Sequence, residues 1–148
     1  MSTTLFEAPA YDPRRERRRR LLLIAGLVLL LVAAAMAYRF RNWPEERIVG
    51  HFFQALQQKQ YETAYGIWFR DPGWKQHPER HAQYPFSEFY IDWGPGGEWG
   101  LIRTYRIVGS EHPRGGSGVV VLVEVNGRTE LARVWVETKD RTMTFSPI

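Results

Sequence analysis

The chain has 148 residues and no cysteine, which excludes disulfides, zinc–thiolate sites and cysteine nucleophiles. Its basic charge is concentrated at one end: residues 1–41 hold eight arginines against three acidic residues, whereas residues 42–148 hold twelve Lys and Arg against thirteen Asp and Glu. A nucleic-acid-binding domain needs its basic excess on the folded surface, so this distribution predicts no nucleic-acid partner.

The N-terminal segment, residues 1–20, is predicted to be a basic cytoplasmic tail. Residues 1–13 contain two prolines and no hydrophobic period, which is typical of a disordered terminus. The following arginines are expected to determine topology and to attract anionic lipid headgroups, at about 1 kcal/mol per residue near the surface. They are Arg14, Arg15, Arg17, Arg18, Arg19 and Arg20.

An uncharged apolar run follows, from Leu21 to Ala37. As a helix, these seventeen residues span about 26 Å, close to the roughly 30 Å hydrocarbon core of a bilayer. The sequence therefore predicts a transmembrane helix over residues 21–38, with the lipid bilayer as its partner. Since the arginines precede the run, the positive-inside rule predicts a cytoplasmic N-terminus and an extracytoplasmic C-terminal domain at the inner membrane.

Two alternatives to this anchor remain at the level of sequence. Ala35-Met36-Ala37 has the small-x-small form of a signal-peptide cleavage site, but the run is longer than a typical signal core and its N-terminal flank is long. A buried core helix would also be apolar, although the arginine block argues against it. We therefore expect an uncleaved signal anchor, a short linker at 39–43 and a domain at 44–148.

Three short helices are predicted in the first half of this domain. Apolar residues recur at helical spacing from residue 48, and a second stripe begins at Tyr61 after a tight bend near Lys59-Gln60. Residues 71–85 are expected to be a loop, and a third helix with Ser87 as its cap is expected to end at the glycine-rich stretch after Trp93.

The second half of the domain is predicted to be an antiparallel meander. Strands are expected at 101–108, 118–125, 129–138 and 141–145, and Asn126-Gly127 is a strong hairpin signal. A two-residue hairpin there sets Val123 beside Glu130 and Val119 beside Val134. Both faces of this hairpin are mixed, so the pattern does not indicate which face packs on the helices. The fold class is α+β.

The helix pair from His51 to Phe69 resembles the opening of the nuclear-transport-factor-2-like superfamily. Helices of that family often read F-x-x-A-L-x-x-x-x-Y-x-x-A-Y, and the element order agrees over residues 44–148. The resemblance implies a cone-shaped α+β domain, in which members with isomerase or dehydratase activity place an acid or a histidine in a pocket. The segment from Phe86 to Gly100 departs from any subfamily pattern. The matching side chains are Phe52, Leu56, Tyr61, Ala64 and Tyr65.

Asp92 and Tyr90 are the candidate catalytic residues. A carboxylate surrounded by aromatic rings acquires a raised pKa, which suits a general base, and Tyr90 would donate a hydrogen bond. The alternative is that Asp92 accepts hydrogen bonds from the following turn, which is the commoner role of such a residue. Further candidates for lining a pocket are His51, Trp93 and Trp99.

His77 and His81 stand four residues apart, which on a helix places both rings on one face. A metal site needs a third ligand, and the neighbours of this pair form no known zinc signature. We therefore expect two solvated histidines on a surface loop, and the sequence indicates no metal and no cofactor.

Three functions fit these observations. The one that the sequence favours is a non-enzymatic binding or assembly module at the outer face of the membrane, with a protein partner or a second copy of the chain. An apolar-ligand binder comes next, and a small pocket enzyme of the isomerase or dehydratase type comes last.

Overall fold

The structure is a computed structural model and describes residues 12–146. The chain separates into two compact units that divide between Arg41 and Asn42. Within the described residues, the first unit contains one long helix and the turn after it. The second unit holds all the other helices and the sheet.

The long helix of the first unit, α1, covers Pro13–Arg39. Asp12 caps it by accepting a hydrogen bond from the Arg14 backbone N–H at 3.0 Å, and Pro13 occupies the first turn, where its missing N–H leaves no bond unmade. The basic segment is therefore helical from residue 13, whereas the sequence predicted a separate tail up to residue 20. Residues 1–11 of the predicted disordered tail lie outside the described residues.

No residue of α1 is buried. From Leu21 to Val32, the large apolar side chains are between 51% (Val32) and 73% (Leu22) exposed. The helix α1 is long and apolar enough to cross a bilayer.

The second unit begins with the three predicted helices, which are all present. The predicted loop between the second and third of them contains two short 3-10 helices, at Trp74–Gln76 and Pro78–His81. Ser87 does not cap the last helix, since Pro85 precedes its first residue and makes no side-chain cap. The helices are α2 (Trp43–Gln57), α3 (Tyr61–Trp68) and α4 (Phe86–Trp93).

Both α2 and α3 end in a Schellman motif with a non-glycine residue in the left-handed region. At the end of α2, Lys59 has φ 59°, and Gln60 N–H donates to the Ala55 carbonyl at 2.8 Å. At the end of α3, Arg70 has φ 54°, and Asp71 N–H donates to the Gly66 carbonyl at 2.9 Å. These turns create the predicted bend after α2 and send the chain away from α3.

The sheet has four antiparallel strands in the order β1-β2-β3-β4, which confirms the predicted α+β class. The first strand starts later than predicted, because residues 101–104 are held as an irregular segment against the side chain of Asn126. The strands are β1 (Tyr105–Glu111), β2 (Gly118–Val125), β3 (Leu131–Glu137) and β4 (Met143–Phe145).

The predicted register of the central hairpin is wrong by two residues. Val119 pairs with Val136 and Val123 with Ala132. The expected Asn126-Gly127 turn is formed, with φ 53° and 67°, but residues 128–130 stay outside the ladder and lengthen the connection. A shift of two keeps every side chain on its predicted face, because the period of a strand is two.

The sheet packs on the helices through the odd-numbered side of β2, where Val119, Val121, Val123 and Val125 are at most 1% exposed. The opposite side carries cross-strand ion pairs, such as Arg106 with Glu124 at 2.6 Å. The mixed sequence pattern of the hairpin did not indicate which face packs on the helices, and the structure shows that it is the odd-numbered one. The odd-numbered side of β2 is buried because it belongs to the same apolar core as the helices.

An aromatic cluster joins the helices, and Phe52 is at its centre. Its ring is fully buried and meets the rings of Trp93 at 5.1 Å and Phe53 at 5.4 Å, both edge to face, and the tilted ring of Trp68 at 5.3 Å. Aromatic pairs in these orientations are favourable beyond the area that they bury.

Candidate functional site

A groove of about 510 Å³ lies between α2 and α3 in the second unit. It combines two isoleucines with charged and hydroxyl side chains, and the floor at Gly66 is buried. The groove is lined by Ile48, His51, Glu62, Thr63, Gly66, Ile67, Arg70 and Pro72.

The polar side chains of this groove are exposed and carry both signs of charge. His51, predicted as a pocket residue, projects from α2 and lines the groove. Glu62 lies on α3 and forms an ion pair with Lys75, while Trp74 Nε1 donates to the Glu62 carbonyl at 3.1 Å. Arg70 stands at the left-handed end of α3. The groove thus offers hydrogen-bonding groups along an apolar floor, an arrangement that suits a peptide or another elongated ligand.

The structure does not bring Asp92 and Tyr90 together. Asp92 is exposed and lines a depression of about 310 Å³. Tyr90 is 45% exposed, packs edge to face on Tyr61 at 5.1 Å and lines a different depression. Residues that are two positions apart on a helix lie about 200° apart around its axis, so the side chains of Asp92 and Tyr90 diverge. The closed aromatic pocket that a pocket enzyme would require around Asp92 is not formed by the described residues, since Asp92 is exposed.

The partner of Asp92 is Tyr84, whose hydroxyl donates to Asp92 Oδ2 at 2.8 Å. Burial raises the pKa of Tyr84 above its ordinary value, and the hydrogen bond to Asp92 raises it further. The hydroxyl therefore keeps its proton and links the loop to α4. This bond gives Asp92 a structural partner, in place of the turn amides considered from the sequence, and not a reacting one.

Trp93 and Trp99 belong mainly to the core, at 4% and 8% exposure. Trp93 stacks on Phe145 at 5.9 Å, and the guanidinium of Arg128 lies 5.5 Å from the Trp99 ring. Both indoles border the depression at Asp92. They support this surface rather than enclose a cavity.

Three residues in the connection after α3 converge on one point. His77 Nε2 lies 2.6 Å from Asp71 Oδ2, and His81 Nε2 lies 2.8 Å from the same oxygen. The side chains are only 22% (His77), 13% (His81) and 20% (Asp71) exposed. The expectation of two solvated histidines is therefore wrong, because both rings are partly buried and paired with Asp71.

Local structure determines this convergence. The left-handed Arg70 and the bond from Asp71 N–H to Gly66 direct the carboxylate towards the 3-10 helices. The second 3-10 helix carries His81, whose ring stacks on Phe69 at 4.2 Å, and His77 precedes that helix. We refer to these three side chains, Asp71, His77 and His81, as the His–Asp cluster.

The His–Asp cluster is electrostatically distinct. Hydrogen bonding from His81, and less strongly from His77, lowers the pKa of Asp71 below its ordinary value, although partial burial opposes the shift. Asp71 is therefore a carboxylate at neutral pH. Its ligand atom and those of the two histidines lie within 4.8 Å of one another. Sequence reasoning missed the third member because Asp71 is six residues upstream of His77; the spacing D-x5-H-x3-H was the available signal.

The chain matches no protein-family model, no curated protein and no solved structure. The nuclear-transport-factor-2-like resemblance stays a prediction, and function is argued from the residues alone.

Proposed function

We propose that this protein is a single-pass inner-membrane protein whose domain from α2 to β4 is an extracytoplasmic binding or assembly module. The observation that carries the proposal is the apolar surface of α1, none of whose residues is buried. Ten of the seventeen residues from 21 to 37 are Leu, Ile or Val, and each contributes about −0.3 to −0.6 kcal/mol on entering a bilayer centre. In water this apolar surface would stay exposed to solvent, whereas the hydrocarbon core of a bilayer matches it in length and polarity.

The orientation follows from charge. Six arginines lie within seven residues before the apolar run, whereas Arg39, Arg41 and Arg47 after it are mixed with Glu45 and Glu46. Cationic flanks stay on the cytoplasmic side during insertion. This supports a cytoplasmic N-terminus and an extracytoplasmic domain, with α1 kept as an uncleaved anchor.

The binding role is supported by the groove between α2 and α3. This cavity of about 510 Å³ is open at the surface, and its exposed side chains can form hydrogen bonds with a partner. A protein segment laid along α2 would contact Ile48 and Ile67 and meet the imidazole of His51 and the positive charge of Arg70. The order of three helices and a four-stranded meander supports the further proposal that the domain is of the nuclear-transport-factor-2-like type.

A reporter fused after Ile148 tests the topology. We expect alkaline phosphatase, which folds only outside the cytoplasm, to be active there, and a fluorescent reporter that needs the cytoplasm to be dark. Replacing the six arginines of the block by glutamine is the matched variant, and it should produce mixed orientation because the charge asymmetry is lost. Reporter activity only inside the cell would contradict the anchor and the compartment together.

Site-specific photo-crosslinking tests the binding role. A photoreactive amino acid at Thr63, inside the groove, should give a discrete crosslinked adduct in intact cells, since a bound partner would lie against it. The matched control is Thr138, which is exposed on the turn between β3 and β4. Equal labelling at both positions, or a monomer without adducts in mild detergent, would rule out the groove as an assembly surface.

A further inference from the structure

We propose that the His–Asp cluster is a binding site for a divalent transition metal of the zinc class. The donor set is two imidazole nitrogens and one carboxylate oxygen. Imidazole selects zinc, copper, nickel and iron over magnesium and calcium, and a carboxylate is the usual third ligand when thiolates are absent. The inference does not depend on the proposed groove or on the orientation of the anchor.

The geometry suits this class of ion. A metal with bonds of about 2.0–2.1 Å holds its ligand atoms roughly 3.3 Å apart in tetrahedral geometry. The two nitrogens of the His–Asp cluster lie 2.6 and 2.8 Å from Asp71 Oδ2. Inserting a metal therefore requires each nitrogen to move away from the carboxylate oxygen by less than about 1 Å, which side-chain rotation can supply. The two nitrogens themselves lie within 4.8 Å of each other.

Both histidines present the same ring nitrogen, Nε2, to the shared point. In each ring, Nδ1 is thus left to carry the remaining proton when Nε2 binds a metal. His81 is held in place by Phe69, against which it stacks, and by Tyr65, whose ring meets it at 6.1 Å. A ring that packing already holds in place loses little conformational entropy when it binds a metal, which lowers the free-energy cost of assembling the site.

The cluster is accessible from solvent, because each of its three side chains keeps between 13% and 22% of its surface exposed. Three protein ligands leave a fourth position for water or for a group from a partner. A zinc-class ion at this point would be bound by an anionic carboxylate and two neutral rings, which leaves the site with a net charge of about +1.

The competing interpretation is a purely structural clamp, in which the histidines donate hydrogen bonds to Asp71 and the loop never binds metal. The two interpretations predict different results for metal binding but the same loss of loop order when a ligand is removed. The experiment must therefore measure metal on the intact chain and not only stability.

The test uses the full chain in detergent micelles, purified at pH 7.5 without a histidine tag. Zinc is titrated and measured by calorimetry, and the metal retained after dialysis is counted by mass spectrometry. We expect one zinc per chain with micromolar or tighter affinity. Cobalt(II) should give the intense visible bands of a four-coordinate site, and zinc should displace it.

The chain contains four histidines, which supplies matched controls. His77→Gln and His81→Gln should each weaken zinc binding by at least about 100-fold, since even outer-shell partners are worth 10–100-fold. The double variant His51→Gln/His112→Gln removes the other two histidines and should bind zinc as tightly as the parent chain. Circular dichroism and the unfolding midpoint of each variant check that it is folded.

Nitrogen-15 shifts of the imidazole rings give a reading on the unaltered protein, independent of any folding defect. On zinc addition, the Nε2 resonances of His77 and His81 should move, and those of His51 and His112 should not. Absence of zinc binding at 100 μM metal would overturn the proposal and leave the clamp as the role of the cluster. Zinc binding that survives in His77→Gln, or that is lost in His51→Gln/His112→Gln, would also overturn the proposal.

Discussion

At the scale of single residues, Asn126 does more than form a turn. It adopts φ 53°, which a short polar side chain tolerates. Its Oδ1 accepts from the backbone N–H groups of Arg103 at 2.7 Å and Thr104 at 3.2 Å, and its Nδ2 donates to the Leu101 carbonyl at 3.0 Å. The residue therefore ties the segment before β1 to the end of β2.

Removing this side chain should destabilise the domain. We expect Asn126→Ala to lower the free energy of unfolding by about 2–3 kcal/mol, because three backbone groups lose their hydrogen-bond partners and alanine resists the left-handed region. Asn126→Gly keeps the backbone freedom and should lose about 1 kcal/mol less. Urea unfolding of the full chain in detergent, followed by tryptophan fluorescence, measures both, since all six tryptophans lie between residues 43 and 135. Equal stability of the parent and the alanine variant would contradict this account.

At the scale of elements, the ends of α2 and α3 shape the groove and the His–Asp cluster. Each helix ends with a cationic residue in a backbone conformation that favours glycine. The turn at Lys59 reverses the chain so that α3 can pack against α2. The turn at Arg70 sends Asp71 towards the histidines. Two backbone torsions thus place the surfaces on which both proposals depend.

Lys59→Gly should stabilise the domain by about 0.5–1 kcal/mol, because glycine occupies the left-handed C-terminal position of a helix without a Cβ penalty. Lys59 is exposed, so little packing is lost. Lys59→Ala is the matched control and should leave the midpoint nearly unchanged, since alanine keeps the Cβ. The same fluorescence measurement reports both variants. Destabilisation by glycine would mean that the Lys59 side chain makes a contribution that the turn geometry does not explain.

At the scale of the whole molecule, the chain combines a helix without any buried residue and a domain with a dense aromatic core. The domain needs no disulfide, because rings such as Phe52, Trp68 and Phe89 are almost fully buried and carry much of the apolar area. The helix, in contrast, leaves its apolar side chains exposed within its own unit, and this exposed surface supports the proposed membrane anchor. The reporter experiment therefore tests the molecule as a whole, and the groove and metal experiments test two surfaces of the domain.

The sequence by itself determined the apolar helix, the charge asymmetry, the three helical stripes, the strand at 118–125 and the Asn-Gly turn. These features arise from spacings of two to four residues and from the conformations that glycine, proline and asparagine favour. Residues that are close along the chain determine these features, so they can be predicted without the tertiary structure.

Only the tertiary structure decided which face of β2 is buried, how far the hairpin extends, and which polar side chains meet. Asp92 and Tyr90, two residues apart, diverge around α4, whereas Asp71 joins His77 and His81 from across a loop. Such meetings depend on the left-handed turn at Arg70 and on the packing of rings like Phe69, which no local period encodes. The physical reason is that a site is set by how elements pack together, while the sequence pattern reports each element alone.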